Sequence, residues 1–232
     1  MNRSKLITSI VLRFIAIFLF IISFFDKYVG TIFYFTVQSN LLVILVFLVL
    51  NIFDILKLCG KFISTPKNLY RFKYISVVGI TLTFLVFGLV LTPVILFETN
   101  YPFYILSISS LSMHLIIPII SIVDWFINDY IENPKVISFL LPLAFPLYYF
   151  FFAMIGSVAG LKYQDFFSTD VGGNHVPYFF LDYKKYGWID IQSNEGVLEF
   201  GVLYWVIGIT ILVTIISFLY LLPKLLPAKS KK

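Results

Sequence analysis

The chain has 232 residues, of which 60% are hydrophobic and only 12% are charged, and its mean hydropathy is +0.96. A water-soluble domain cannot bury so large a share of apolar side chains, so lipid must solvate most of the chain. The net charge is +5 and the pI is near 9.1. Membrane topology accounts for that basic excess, and we expect no nucleic-acid partner.

Six stretches of the sequence reach the length of about 20 apolar residues that crosses a hydrocarbon core. Apolar runs this long predict helices, because a helix satisfies its own backbone hydrogen bonds in lipid. We therefore predict an all-α membrane protein, a six-helix transmembrane bundle in one domain over 1–232. The spans lie near 6–25, 31–53, 74–97, 105–127, 136–158 and 197–222, and the one long outer loop covers 159–196.

The distribution of basic residues predicts the orientation of these spans. With the N-terminus inside, all of the 17 Lys and Arg residues except Lys27, Lys162, Lys184 and Lys185 fall on the inner side. Both termini are therefore predicted to be cytoplasmic, in a multi-pass protein of the cell membrane. The excess of Phe, Ile and Lys over Ala and Gly favours a bacterial source.

Two charged residues within the predicted spans call for a structural explanation. Arg13 lies in the first span, and we expect it to extend along its helix toward the inner surface. Asp124, together with Trp125, comes at the inner end of the fourth span, where we expect an anchor at the membrane interface. The first span is expected to be retained, because Arg13 and the missing cleavage site argue against a signal peptide.

The fourth span carries the clearest functional signal, an ionisable His114 within an apolar run. Small or polar residues recur there at spacings of three and four, which puts them on one helix face: Ser107, Ser110, His114, Pro118 and Ser121. Pro118 has no N–H to give the carbonyl of His114, so we expect that oxygen to be freed. The pattern predicts a cavity beside the histidine, although serine stripes are also common at helix contacts.

The second span contributes a second group of polar residues at a similar depth. Thr36 lies about 8 Å and His114 about 14 Å below the outer ends of their spans, at 1.5 Å per residue. Asn40 is one turn beyond Thr36 on the same face and matches His114 in depth. The sequence thus allows these three side chains to meet in a pocket open to the outside. A membrane threonine more often bonds to its own helix, whereas for a buried histidine a structural and a functional role are about equally expected.

The outer loop contains a dense aromatic cluster after Gly172–Gly173. One reading is an aromatic belt at the membrane interface. The other is a lid over the outer mouth of the pocket, in which Tyr178, Phe179, Phe180 and Trp188 grip acyl chains. His175 is expected to be a solvated loop residue.

Nothing in the sequence has the spacing of a metal site. The two histidines and the lone Cys59 fall in separate segments, so we predict no metal and no cofactor. Phosphate-binding loops and the common hydrolase motifs do not occur either.

Three motifs resemble one known family: YFTVQSN at the start of the second span, MHLIIPIISIVDW in the fourth, and PYFFLDYKKYGW before the sixth. The chain is similar to bacterial relatives of the androgen-induced and androgen-dependent integral membrane proteins. The eukaryotic members are intramembrane threonine hydrolases that cleave fatty acid esters of hydroxy fatty acids. The resemblance implies a threonine nucleophile at Thr36 and its histidine at His114.

The resemblance implies acyl transfer to water, in which Thr36 attacks an ester carbonyl and His114 takes its proton. Ser39 or Asn40 would then donate to the oxyanion, with Ser110 as a further polar residue of the pocket. No carboxylate that orients His114 can be named. The alternative is a non-catalytic membrane protein that binds a lipid or small molecule in the same pocket, and a transporter is the third choice. Membrane lipids are the expected partners, with a fatty acyl ester as a possible substrate.

Overall fold

The computed structural model describes residues 3–25, 32–93, 107–128, 136–163, 174–194 and 197–225. Within these ranges, six helices are long and apolar enough to cross a membrane, which confirms the number of helices predicted. We name them α1 to α6. Their bounds are α1 Arg3–Phe25, α2 Phe35–Leu58, α3 Lys67–Leu91, α4 Ile108–Asn128, α5 Val136–Val158 and α6 Val202–Leu225.

Three of the helices change their hydrogen-bonding pattern along their length. Helix α3 ends in a π-helical turn, Phe87–Leu91, and α4 contains another, Ser112–Ile116, which includes His114. Helix α5 narrows to a 3₁₀ turn at Leu141–Leu143, around Pro142. A π-helical turn often marks a functional site, because the extra residue displaces side chains from the regular helical positions.

Because the helices alternate in direction, the bundle has two ends. One end carries Arg3, the loop 59–66 and the last turn of α6, and we call it the termini end. The other carries the start of α2 and the segment 174–200, and we call it the loop end. Helix α2 stops at the termini end in a Schellman turn, in which Gly60 adopts φ +78° and Lys61 N donates to the Leu56 carbonyl at 3.1 Å.

Helix α3 lies at the centre of the packing and contributes to both apolar cores. On one side, Ile80 packs with residues of α1, α2 and α4, such as Ala16, Phe47 and Ile117. On the other side, Tyr74 and Leu82 pack with α5, α6 and the segment 174–181. All six helices also leave large apolar side chains on their outer faces, for example Phe18 at 63% and Ile211 at 55% exposure, as expected of lipid-facing surfaces.

Arg13 and Asp124 do not lie where the sequence predicted. Both are buried, with 1% and 0% exposure, and the Arg13 guanidinium donates to Asp124 at 3.0 Å and to Asp54 at 2.8 Å. Asp124 also pairs with the buried Lys73 at 2.7 Å. The predictions of an extended arginine and an interfacial aspartate are wrong, because the opposite charges of four helices meet inside the bundle.

The outer loop also differs from its predicted extent and contains β-structure. Strand β1, Ile191–Asn194, pairs antiparallel with β2, Val197–Phe200, and the sixth helix begins only at Val202 rather than near 197. Gly201 lies at the junction, where a Cβ atom would approach the Trp188 carbonyl to 2.8 Å. The apolar residues of β2 extended the predicted span, since a short strand and the start of an apolar helix look alike in sequence. Gly172–Gly173 lie outside the described residues.

Candidate functional site

A cleft of about 760 Å³, a figure that includes space open to solvent, lies at the loop end of the bundle. Its walls come from the start of α2, the end of α3, the middle of α5, the start of α6 and the segment 178–181. Apolar side chains such as Leu82, Phe150 and Ile209 form most of its surface, and no charged side chain contributes among the residues described. Its polar groups are hydroxyls, those of Thr36, Thr83, Tyr149, Tyr178 and Thr210.

Thr36 lies in the wall of this cleft, 9% exposed, in the first turn of α2. The N–H groups of a first helical turn have no partner within the helix. The hydroxyl of Tyr178 lies against this turn and forms hydrogen bonds with the Thr36 side chain and with the backbone of Phe35 and Thr36. The helix thus aims N–H donors at an oxygen beside Thr36.

Tyr178 is partly buried at this position although it belongs to the connecting segment. Burial raises the pKa of its phenol to about 12, and the hydrogen bond with Thr36 works in the opposite direction. The phenol therefore stays neutral at physiological pH. Tyr149 lies beside it, with ring centroids 6.2 Å apart, and donates to the Phe33 carbonyl at 3.0 Å.

The predicted oxyanion donors, Ser39 and Asn40, are committed to other partners. Ser39 Oγ donates to the Thr36 carbonyl at 3.0 Å and lies 2.8 Å from Thr83 Oγ1. The Asn40 amide donates to the Thr36 carbonyl at 2.8 Å and to the Met113 carbonyl at 3.0 Å, which uses both of its N–H bonds.

His114 lies on α4 next to these residues and is 8% exposed. Its Nδ1 is 2.9 Å from the Ser110 carbonyl, which can only accept, so Nδ1 carries a proton. The Ser110 hydroxyl lies 3.4 Å from the same nitrogen. In a neutral ring, Nε2 then holds the basic lone pair, the form that a general base requires. The Ser110 carbonyl of the same helix thus fixes the orientation of the His114 ring.

Pro118 lies just after the π-helical turn that contains His114. It has no N–H to give to a carbonyl of that turn. The carbonyl of Met113, next to His114, accepts from the Asn40 amide of α2. This hydrogen bond fixes α2 to α4 one turn away from Thr36.

Phe87 of α3 lies next to His114 at the edge of the cleft. The cleft wall at the end of α3 is formed by Phe87, and the imidazole of His114 stacks on that ring with 3.8 Å between centroids. Tyr178 lies against the Thr36 hydroxyl, and Ser110 and Phe87 lie against the His114 ring. The structure brings α2 and α4 together, with Phe87 at the cleft surface beside His114.

The four aromatic residues predicted to form a lid divide into two pairs. Tyr178 and Phe180 line the cleft and stack on each other, with centroids 5.1 Å apart. Phe179 packs edge-on against Trp205 of α6 at 5.8 Å. Trp188 stacks on Tyr183 at 5.4 Å and is 44% exposed. His175, which was predicted to be a solvated loop residue, is only 18% exposed at its side chain and lies 3.1 Å from Asp182.

Sequence reasoning missed three contributors to the site. Thr83 and Thr210 look like ordinary threonines of apolar helices, and Tyr149 lies in an unbroken aromatic run. For Thr83 the sequence contained a weak indication. It lies four residues before Phe87, so the two side chains are expected on the same face of the helix. Among the residues described, no group of three or more His, Cys, Asp or Glu could hold a metal.

Comparisons with protein-family models, with curated proteins and with solved structures found no match for this chain. The site is therefore interpreted from its own geometry.

Proposed function

We propose that this chain is a multi-pass membrane protein that holds a lipid-like molecule in the cleft at its loop end. The observation that carries the proposal is the composition of the cleft wall, apolar throughout except for hydroxyls, two of which meet at the first turn of α2. An acyl chain fits the apolar walls, and an ester, alcohol or acid oxygen fits the donors near Thr36. A cleft without charged side chains disfavours ligands with several charges.

Displacement of a fluorescent fatty ester from the purified full chain tests this proposal. Ile209→Trp adds volume inside the cleft, whereas Ile211→Trp adds the same side chain on the outer face of α6. We expect about a tenfold loss of affinity or more for Ile209→Trp, since overpacking costs about 1–3 kcal/mol, and little change for Ile211→Trp. Equal affinities for the wild type and both variants would rule out binding in the cleft.

A second candidate function is hydrolysis of an ester bound there, as the family resemblance implies. It is supported by the tautomer of His114 and by the Asn40 bond that holds α2 against α4. Thr36 Oγ would attack the carbonyl carbon while its proton passes to Nε2 of His114. The protonated imidazole would then return that proton to the leaving alcohol, and water would release the acid from Thr36.

Labelling by a fluorophosphonate probe separates the two candidate functions. If the chain is a hydrolase, Thr36→Ala and His114→Gln each abolish labelling, and Thr210→Ala, which removes another hydroxyl of the cleft, retains it. If the chain only binds lipid, the wild type is not labelled although it binds the fatty ester. Labelling that persists in both Thr36→Ala and His114→Gln would contradict hydrolysis by this pair.

We further propose that the termini end faces the cytoplasm of a bacterial cell, on the strength of its basic residues. Cys59 is the single cysteine of the chain and is exposed at that end. A membrane-impermeant maleimide should label Cys59 in lysed cells only. In a Cys59→Ser background, Lys184→Cys should be labelled in intact cells. The reverse pattern would contradict this orientation.

A further inference from the structure

At the termini end, a row of five charged side chains, which we call the ion chain, runs through the bundle and ends near the loop 59–66. Its order is Lys73, Asp124, Arg13, Asp54, Lys57, and successive partners lie 2.7 to 3.0 Å apart. Positive and negative groups alternate along it, so each carboxylate lies between two cations. A buried carboxylate is strongly stabilised by such flanking cations.

When all five side chains are ionised, the ion chain has a cation at each end and one positive charge in excess. The Lys73 end is closed, since that side chain is 1% exposed and its ammonium also donates to the Asp124 carbonyl at 3.1 Å. The Lys57 end reaches the surface, with 24% of the side chain exposed and a hydrogen bond to Thr65 Oγ1 at 2.6 Å. A ligand can therefore reach the ion chain from solvent at Lys57.

A shallow concave surface of about 580 Å³ borders Lys57 at this point. It is lined by the loop after α2, from Gly60 to Ser64, including the exposed Lys61 and a fully exposed Phe62. The Schellman turn at Gly60 reverses the chain so that Lys61 lies near the end of the same helix as Lys57. In sequence, no acidic residue follows Asp54 until Glu98, so the loop itself supplies no counter-charge.

We propose that this surface, which we call the loop cleft, binds the phosphate group of an anionic ligand between Lys57 and Lys61. A phosphate would balance the excess charge of the ion chain and accept hydrogen bonds from both ammonium groups. The phosphate can belong to an anionic lipid headgroup or to a soluble phosphate compound. The exposed Phe62 favours a lipid, because aromatic side chains partition to the headgroup region. The loop cleft is separate from the apolar cleft and does not depend on its function.

Lys61→Gln tests the loop cleft without breaking the ion chain, because Lys61 takes no part in the salt bridges described. Lys67→Gln is the matched control, since Lys67 is exposed at the same end but does not line the loop cleft. The full-length protein is titrated in neutral detergent with phosphatidylglycerol, with phosphatidylcholine and with inorganic phosphate. Native mass spectrometry then counts the bound molecules.

We expect Lys61→Gln to weaken phosphatidylglycerol binding about fivefold and Lys67→Gln to leave it unchanged, with little binding of phosphatidylcholine. If inorganic phosphate shows the same dependence on Lys61 and phosphatidylglycerol does not, the site takes soluble phosphate compounds. Equal losses in the two variants would overturn the proposal, because they would reflect general surface charge. So would a wild-type protein that binds neither phosphatidylglycerol nor phosphate.

Discussion

The imidazole of His114 and the phenyl ring of Phe87 stack with 3.8 Å between their centroids and 18° between their planes. Phe87 also lines the apolar cleft, so one ring both covers the histidine and forms part of the cleft wall. The contact joins the two π-helical turns of α3 and α4. Access from the cleft to His114 therefore depends on the position of Phe87.

Phe87→Ala should expose His114 to reagents that enter the cleft. We expect faster carbethoxylation of His114 by diethyl pyrocarbonate, measured by peptide mass mapping in a His175→Asn background. Leu89→Ala is the control, because Leu89 lies on the same helix with 72% exposure, away from the cleft. Equal reaction rates in the wild type and Phe87→Ala would show that Phe87 does not cover the histidine.

Asn40→Leu should destabilise the packing of α2 against α4. The variant leaves the Met113 carbonyl without its side-chain donor from α2. A lost buried hydrogen bond of this kind costs about 1–3 kcal/mol in the free energy of unfolding. Unfolding of the detergent-solubilised protein by sodium dodecyl sulfate measures it. Asn68→Leu, at an exposed position of α3, should change the free energy far less.

Arg13→Met should be more severe than Asn40→Leu, because it leaves the carboxylates of Asp54 and Asp124 without their shared partner. Removing one member of a buried ion pair costs about 3–5 kcal/mol. The same unfolding assay applies, with Arg3→Met as the control at an exposed position of α1. A loss no larger than that of Arg3→Met would mean that the ion chain contributes little to stability.

Much of the fold and of the candidate site follows from the sequence. The features that could not be predicted are those set by contacts between helices. Apolar length alone predicts six helices, and the 3.6-residue period places Asn40 on the face of Thr36. The period does not reveal that Asn40 reaches Met113 or that Arg13 reaches Asp124, since those partners lie 73 and 111 residues apart. An isolated charge in a span therefore suggested an interfacial position. The position of Phe87 over His114 likewise depends on packing and on two π-helical turns that leave no clear mark in the sequence.

Tyr178→Phe should reduce the loss of stability at alkaline pH. Burial raises the pKa of Tyr178 from about 10 to about 12, so the folded state favours the neutral phenol. The contribution of this group to stability is complete below pH 10 and is lost as the pH rises toward 12, by roughly 2–3 kcal/mol. Thermal unfolding between pH 9 and 12 should therefore decline less steeply in the variant than in the wild type. Tyr204→Phe, a change at an exposed position of α6, should retain the wild-type slope.

Photo-crosslinking with a fatty ester that carries a diazirine on its acyl chain tests lipid binding in the apolar cleft most directly. Peptide mapping of the labelled wild-type protein should place the label on cleft residues such as Leu82, Phe150 and Ile209, and excess unlabelled ester should compete it away. Label confined to outward residues such as Phe18 and Ile211, without competition, would mean that the ester only surrounds the protein as bulk lipid. That result would contradict the proposed function.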